Sequence, residues 1–248
     1  MNVIITGASR GLGKAIAKNF AANGHHLYLC SRTATTLYMT MEELVTKYPA
    51  VTIKAKPFDL GKKEEAIAFG KWILDLNIPV DVLVNNAGTF EPGGVHSEAD
   101  GTLENLMNNN LFSVYHLTRT LLSKMMEQNP SILRPFGKLG AQGSGPHIFN
   151  MCSVAALQTY PNGGSYSISK AALYSFTKNL REEMKPHGIK VTAVIPGAAY
   201  TDSWAASGID KNRFMEADDI AKMIFAASQL SAGACVEEII MRPQLGDL

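Results

Sequence analysis

Seven short runs of β-branched and apolar residues recur along the chain, and longer stretches of helical period lie between them. The runs are Asn2 to Thr6, Leu27 to Cys30, Val51 to Ala55, Val80 to Asn85, His147 to Met151, Ile189 to Ile195 and Cys235 to Met241. The helical stretches fall near 11–23, 36–48, 62–76, 101–128, 165–186 and 216–229. This alternation predicts parallel strands, because a chain that returns through a helix re-enters the sheet in its original direction. Right-handed crossovers then cover both faces, so the expected fold class is α/β: one domain, doubly wound, with about seven parallel strands. Ligands of such sheets bind beyond the carboxyl ends of the strands, where functional residues are therefore expected.

At 248 residues and 46% hydrophobic, the chain holds enough apolar material for one core without disulfide or metal staples. Its 23 Lys+Arg against 22 Asp+Glu leave a net charge of +1, which excludes the basic field of a nucleic-acid binder and any charge-driven membrane affinity. Met1 to Gly7 show no basic leader, long apolar segment or cleavage signal, so the cytoplasm is the expected location. Cys30, Cys152 and Cys235 sit in or at the ends of strand runs and read as small hydrophobes rather than a disulfide framework. The histidines, including the adjacent His25 and His26, have no HExxH or CxxC companion, and no metal is expected. Only Pro130 to Pro146, rich in Gly and Pro, breaks the rhythm, and it reads as a surface excursion within the domain.

Directly after the first run comes Thr6-Gly7-Ala8-Ser9-Arg10-Gly11-Leu12-Gly13, followed by good helix formers from Lys14 to Ala22. Glycines at 7, 11 and 13 let the backbone turn tightly and approach a pyrophosphate, whose charge is met by N–H groups at the helix N-terminus. The TGxxxGxG spacing resembles that of the short-chain dehydrogenase/reductase family, and the resemblance runs through essentially the whole chain. It implies a Rossmann-type sheet and a nicotinamide dinucleotide. After the second run the chain reads Cys30-Ser31-Arg32, with no acid to accept from an adenosine 2′-hydroxyl. Arg32 and Arg10 instead offer charged donors to a 2′-phosphate, so NADP(H) is the expected cofactor. The resemblance also brings Gly7, Ser9, Gly11, Leu12, Gly13 and Ser31 to the cofactor. It adds Asp59 and Leu60, where the family's Asp contacts the adenine amino group. Asn86, Ala87 and Gly88, within the phrase NNAG, are small enough to let the backbone pass close to the ribose.

Tyr166-Ser167-Ile168-Ser169-Lys170 forms a YxxxK unit on an expected helix, and a spacing of four stacks the two side chains on one face. Free tyrosine titrates near ~10, and a neighbouring cation, joined by an oxidised nicotinamide, favours the phenolate and lowers that value. Ser153 lies two residues beyond the fifth run. Carbonyl reduction needs one donor to hold the oxygen and another to deliver the proton; Ser153 fits the first role and Tyr166 the second. The family has matching residues here, takes the hydride from the nicotinamide and uses the lysine, here Lys170, to bind ribose as well. Asn110 falls in an apolar stripe with Leu103, Met107, Val114, Leu117 and Leu121, where a buried amide must find partners. Those partners are either neighbouring main chain or, as the resemblance implies, a water linking the lysine to solvent. The phrase Asn110-Leu111-Phe112-Ser113-Val114 departs from the family's NLxGV only in Ser113.

After the sixth run, Pro196-Gly197-Ala198-Ala199-Tyr200-Thr201 matches the family's PGxxxT. The match places Pro196, Gly197, the Ala199 backbone and the Thr201 hydroxyl against the nicotinamide amide. Residues 202–215 read as a substrate flap, with Trp204, Phe90 and Tyr160 either lining an aromatic pocket or simply packing. The C-terminal residues lack the Gly-rich tail of 3-oxoacyl-carrier-protein reductases, whereas PGAAYTDSW, CSRTATTL and VEEIIMRPQLGDL are similar to bacterial relatives of sepiapterin reductase. The expected activity is NADP(H)-dependent hydride transfer to or from a small-molecule carbonyl or secondary alcohol. Pterin-carbonyl and 3-oxoacyl reduction are its narrower forms, and an NADP(H) sensor without turnover is the alternative from another class. Family members pair through the helices expected near 101–128 and 165–186, which implies a homodimer or homotetramer.

Overall fold

A computed structural model of the chain describes residues 1–128, 145–201, 204 and 208–248. Its strands are β1 (Asn2–Thr6), β2 (His26–Ser31), β3 (Ile53–Pro57), β4 (Val82–Asn85), β5 (His147–Met151), β6 (Lys190–Pro196) and β7 (Glu238–Met241). They form one sheet in the order β3-β2-β1-β4-β5-β6-β7, and every neighbouring pair is parallel. Chain order reverses between β1 and β4, which opens a crevice beyond their carboxyl ends.

Helices α1 (Gly11–Ala22), α2 (Ala34–Lys47), α3 (Lys63–Asp75), α4 (Thr102–Met107), α5 (Ser113–Glu127), α6 (Gly164–Met184) and α7 (Ala217–Ser228) cover the sheet. Strand side chains alternate between faces, so one strand supplies two cores. Val3 and Ile5 pack with Ile16 and Phe20 of α1, Leu37 and Leu44 of α2 and Ile220 and Ile224 of α7. Ile4, between them, packs on the opposite face with Phe69 and Ile73 of α3, Leu117 and Leu121 of α5 and Leu180 of α6. β4, β5 and β6 are buried along their whole length, as strands covered on both sides must be.

Several boundaries differ from those expected. β3 begins at Ile53 rather than Val51; as an edge strand it buries Ile53 and half-buries Ala55 and Pro57, and its exposed lysines at 54 and 56 obscure the apolar pattern. β4 starts at Val82, because Val80 exchanges hydrogen bonds with the Gln128 side chain and Asp81 accepts from the Asn2 amide through its carboxylate. β7 starts at Glu238, which leaves Cys235 outside the sheet and exposed, while Cys30 and Cys152 are buried. The helix expected over 101–128 is split into α4 and α5 by a π turn at Asn108–Phe112. Its wider turn shifts the phase of the buried stripe: Leu106 rather than Leu103 packs inward, ahead of Asn110, Val114, Leu117 and Leu121. Of the stretch 130–146, all but its last two positions lie outside the described residues; so do 202, 203 and 205–207 of the expected flap. Among the described residues no helix is long and apolar enough to cross a membrane.

Candidate active site

The crevice is built by strand ends clasping one another. The Thr6 hydroxyl accepts from the amides of Asn86 and Ala87 at 3.0 and 2.9 Å, and the Asn86 side chain donates to the carbonyls of Thr6 and Gly7 at 2.9 and 3.1 Å. This brings the glycine loop against the NNAG phrase around a cavity of about 410 Å³. Gly7, Ser9, Arg10, Gly11, Leu12, Gly13, Ser31, Arg32, Asp59, Leu60, Asn86, Ala87, Gly88 and Thr201 all line it. Thr36, Thr89 and Asn109 line it too; sequence reasoning missed them because each faces the cavity through the turn of its own helix or loop rather than through a motif.

This cavity suits a dinucleotide phosphate. A Cβ at Gly13 would collide with the Gly7 carbonyl oxygen, so only glycine lets α1 start this close to the loop. Among the described residues no side chain caps the N-terminus of α1 at Arg10, which leaves its first amides available to an anion. Arg10 and Arg32 are exposed at the rim, and among the described residues neither guanidinium has a protein partner. Two unpaired cations beside a free helix N-terminus favour a ligand with several negative charges.

A second cavity of about 570 Å³ adjoins the first, and the two share Leu12, Asn86, Gly88, Thr89 and Thr201. Ser153, Tyr166 and Lys170 meet on its wall, with Pro196, Gly197 and Ala199 opposite. The Ser153 oxygen accepts from the Ala155 amide at 3.2 Å and its hydroxyl hydrogen-bonds the Tyr166 phenol. The Lys170 ammonium donates to the Met151 carbonyl at 2.9 Å and lies 5.8 Å from the centre of the Tyr166 ring. Burial pushes the Tyr166 phenol above its ordinary value, and the bond from Ser153 pulls only partly the other way. The expected lowering calls on a neighbouring cation joined by an oxidised nicotinamide; with the protein's own groups alone, desolvation dominates. The same desolvation holds Lys170 itself down at about 8.

Asn110 lines neither cavity. It is buried behind Gly88, with its oxygen 2.8 Å from the Thr89 amide and its nitrogen donating to the Thr89 carbonyl and the Ser169 hydroxyl at 3.0 and 2.9 Å. Its amide thus has the main-chain partners that were one of two expectations. Ser113, the departure from the family phrase, donates to the Asn109 carbonyl at 2.6 Å across the π turn, where the widened ladder needs a donor.

Phe90 and Trp204 both line the second cavity. Tyr160 also lines it but is engaged elsewhere, donating to Asp247 at 2.6 Å. Asp247 also takes Arg242 and the Gln158 side chain, which ties the C-terminal residues over the cavity. Its other carboxylate oxygen, Oδ1, is buried and has no partner among the described residues. A parallel bridge from Ala199 to Met215 uses the Ala198 carbonyl and the Tyr200 amide, so the N–H and C=O of Ala199 lie outside it.

A family model described as short chain dehydrogenase matches residues 1–212. The chain belongs to the short-chain dehydrogenase family. This short-chain dehydrogenase is 31% identical over 255 residues to a sepiapterin reductase of Chlorobaculum tepidum, covering 99% of this chain and 97% of that one. A metagenomic short-chain oxidoreductase solved in complex with NADP is 26% identical, with a TM-score of 0.79 and coverage of 98% and 97%. The alcohol dehydrogenase of Thermococcus sibiricus, at 24% identity over 98% of this chain and 96% of its own, has the same fold, with a TM-score of 0.84. As a member of the family the protein is an oxidoreductase.

Proposed function

We propose that the protein is an NADP(H)-dependent reductase of small-molecule carbonyls, able to oxidise the corresponding alcohols. The observation that carries this reading is the meeting of Ser153, Tyr166 and Lys170 on the wall of a cavity continuous with the glycine-lined one. When bound, the nicotinamide supplies the hydride in reduction and accepts it in oxidation. Ser153 donates to the substrate oxygen and Tyr166 gives it the proton. The phenolate left behind is stabilised by the Ser153 hydroxyl and the Lys170 ammonium, and Lys170 also holds the ribose. Asn110 completes a proton relay behind Gly88, where a Cβ would lie 2.8 Å from its oxygen and 3.4 Å from the Lys170 nitrogen. The unpaired Arg10 and Arg32 select the 2′-phosphate, in line with the NADP held by the metagenomic relative. Leu103, Phe112 and Ile168 leave apolar surface exposed on the paired helices, which supports a homodimer or homotetramer.

The test follows oxidation of NADPH and NADH with pterin, quinone and 3-oxoacyl carbonyls, for the wild type and Tyr166→Phe. Turnover with NADPH, falling about 10²–10⁴-fold in the variant while NADPH still binds, is the expected result. A wild type that binds NADPH tightly yet reduces none of these compounds is a sensor, and the proposal fails.

Pterin carbonyls are the favoured substrates within this class. Asp247 lines the cavity wall, and its Oδ1, which has no partner among the described residues, can accept from the ring N–H groups of a pterin. The likeness to the Chlorobaculum tepidum sepiapterin reductase supports the same choice. An Asp247→Asn variant that loses pterin and quinone reduction equally would remove that support.

A further inference from the structure

The loop between β4 and α4 has no regular structure, yet it forms one wall of the substrate cavity through Phe90. Its position depends on what it grips. Glu98, near the far end of the loop, reaches the first turn of α6: Oε1 accepts from the Ser165 amide at 2.8 Å and Oε2 from the Ser165 hydroxyl. The Gly93 amide adds a bond to the Asn162 carbonyl at 3.0 Å. The residue before α6, Gly163, provides no side-chain cap, so the carboxylate of a distant loop satisfies a helix N-terminus that would otherwise be orphaned. The fit is close on both sides. A Cβ at Gly164 would strike the Glu98 carboxylate, and one at Gly93 would lie 2.6 Å from Glu98 Cγ.

The residue after Ser165 is Tyr166. The carboxylate therefore pins the turn of α6 that carries the phenol, and through the loop it pins the Phe90 ring that packs on that phenol with centroids 4.8 Å apart. We propose that Glu98 is a positioning residue for carbonyl reduction, clasping the cavity-wall loop to the start of the catalytic helix so that Phe90 and Tyr166 hold their mutual orientation. A negative charge at the N-terminus of a long helix is stabilising in its own right, which lets one side chain serve both purposes. Glu98 lines neither cavity and touches no reacting atom.

This rests on the carbonyl-reductase reading, so its test has one arm that needs no turnover. Amide hydrogen exchange of the segments covering 88–100 and 164–169 should quicken in Glu98→Ala and stay near wild type in Glu98→Gln, whose amide can both accept from the Ser165 N–H and bond its hydroxyl. With a reducible carbonyl, kcat per NADPH-binding site should fall about 10- to 100-fold in Glu98→Ala, as displaced catalytic groups do. The Kd for NADPH should stay within about twofold, and Glu98→Gln should recover kcat to within about threefold, because the glycine-lined cavity and the bonding geometry are both retained. Wild-type kcat in Glu98→Ala overturns the proposal. So does a Glu98→Gln variant as impaired as the alanine, or exchange that is unchanged in both. A wild type inert to every carbonyl defeats the reductase reading instead, and the exchange arm then decides the clasp alone.

Discussion

The rings of Phe90 and Tyr166 stand almost perpendicular, with centroids 4.8 Å apart and planes at 82°. Phe90 is also stacked loosely on Trp204, at 6.5 Å, and is still 49% exposed. It therefore keeps exposed surface for a substrate while its ring steadies the phenol. An aromatic pair of this geometry is worth ~0.5–1.5 kcal/mol beyond its buried area. Phe90→Ala should raise KM for a ring-bearing carbonyl about 2- to 10-fold, and Phe90→Leu should raise it less. Steady-state kinetics at saturating NADPH check both, and an unchanged KM in the alanine variant would remove Phe90 from the substrate wall.

Lys170, held at about 8 by burial, gives the pH dependence its direction. Below that value the ammonium is present to stabilise the phenolate of Tyr166; above it the amine is neutral. The high-pH limb of kcat/KM for carbonyl reduction should therefore descend with an apparent pKa near 8. A profile flat to pH 10 is the contrary outcome.

The same shift affects stability with a definite sign. Between about 8 and its ordinary 10.5, folded Lys170 binds fewer protons than the unfolded chain does, so this group makes the fold more stable as pH rises through that window. The raised Tyr166 acts oppositely, contributing stability below its ordinary 10.0 that is lost above it. From pH 8 to 10, then, Lys170→Met should flatten the rise in Tm relative to wild type. Parallel Tm curves for the two proteins would show that Lys170 is not the group responsible.

Arg10 and Arg32 face the first cavity, and among the described residues neither has a protein partner. Hydrogen bonds to a charged group contribute ~1.5–3 kcal/mol, so Arg32→Ala should weaken NADPH binding about 10- to 100-fold and leave NADH binding within about twofold. Titration of intrinsic fluorescence with each cofactor measures both constants. Equal losses for the two cofactors would place the arginine on the shared pyrophosphate instead of the 2′-phosphate.

Asn110 holds Thr89 by both of its main-chain groups, and Ser169 as well. Asn110→Leu strands the N–H and C=O of Thr89, at ~1–3 kcal/mol for each group left unsatisfied, while Ser169 keeps its bond to the Tyr166 carbonyl. Urea denaturation should show a loss of about 2–5 kcal/mol, accompanied by loss of activity. By contrast Ser113→Gly, which removes only the bond to the Asn109 carbonyl, should cost about 1 kcal/mol and spare activity.

Much of this protein could be read from short-range pattern. Seven apolar runs separated by helices dictate a parallel sheet, and TGxxxGxG after the first run puts a phosphate cradle at a strand end. YxxxK works because four residues bring Tyr166 and Lys170 onto one face of α6, a matter of helical geometry alone. Tertiary structure decided whatever depends on residues far apart in the chain or on burial. Helical period cannot reveal the π turn, which moves Leu103 out of the buried stripe and Leu106 into it, because widening a turn costs one residue of phase. Nothing near residue 98 announces a cap for a helix that begins 66 positions later, since the bond exists only once two loops meet. The C-terminal Asp247 reaches the cavity for the same reason, drawn in by Tyr160 and Arg242. Last, a lysine four residues from a tyrosine puts a cation beside the phenol, but only the depth at which both are buried shows how strongly removing water penalises the charged form of each.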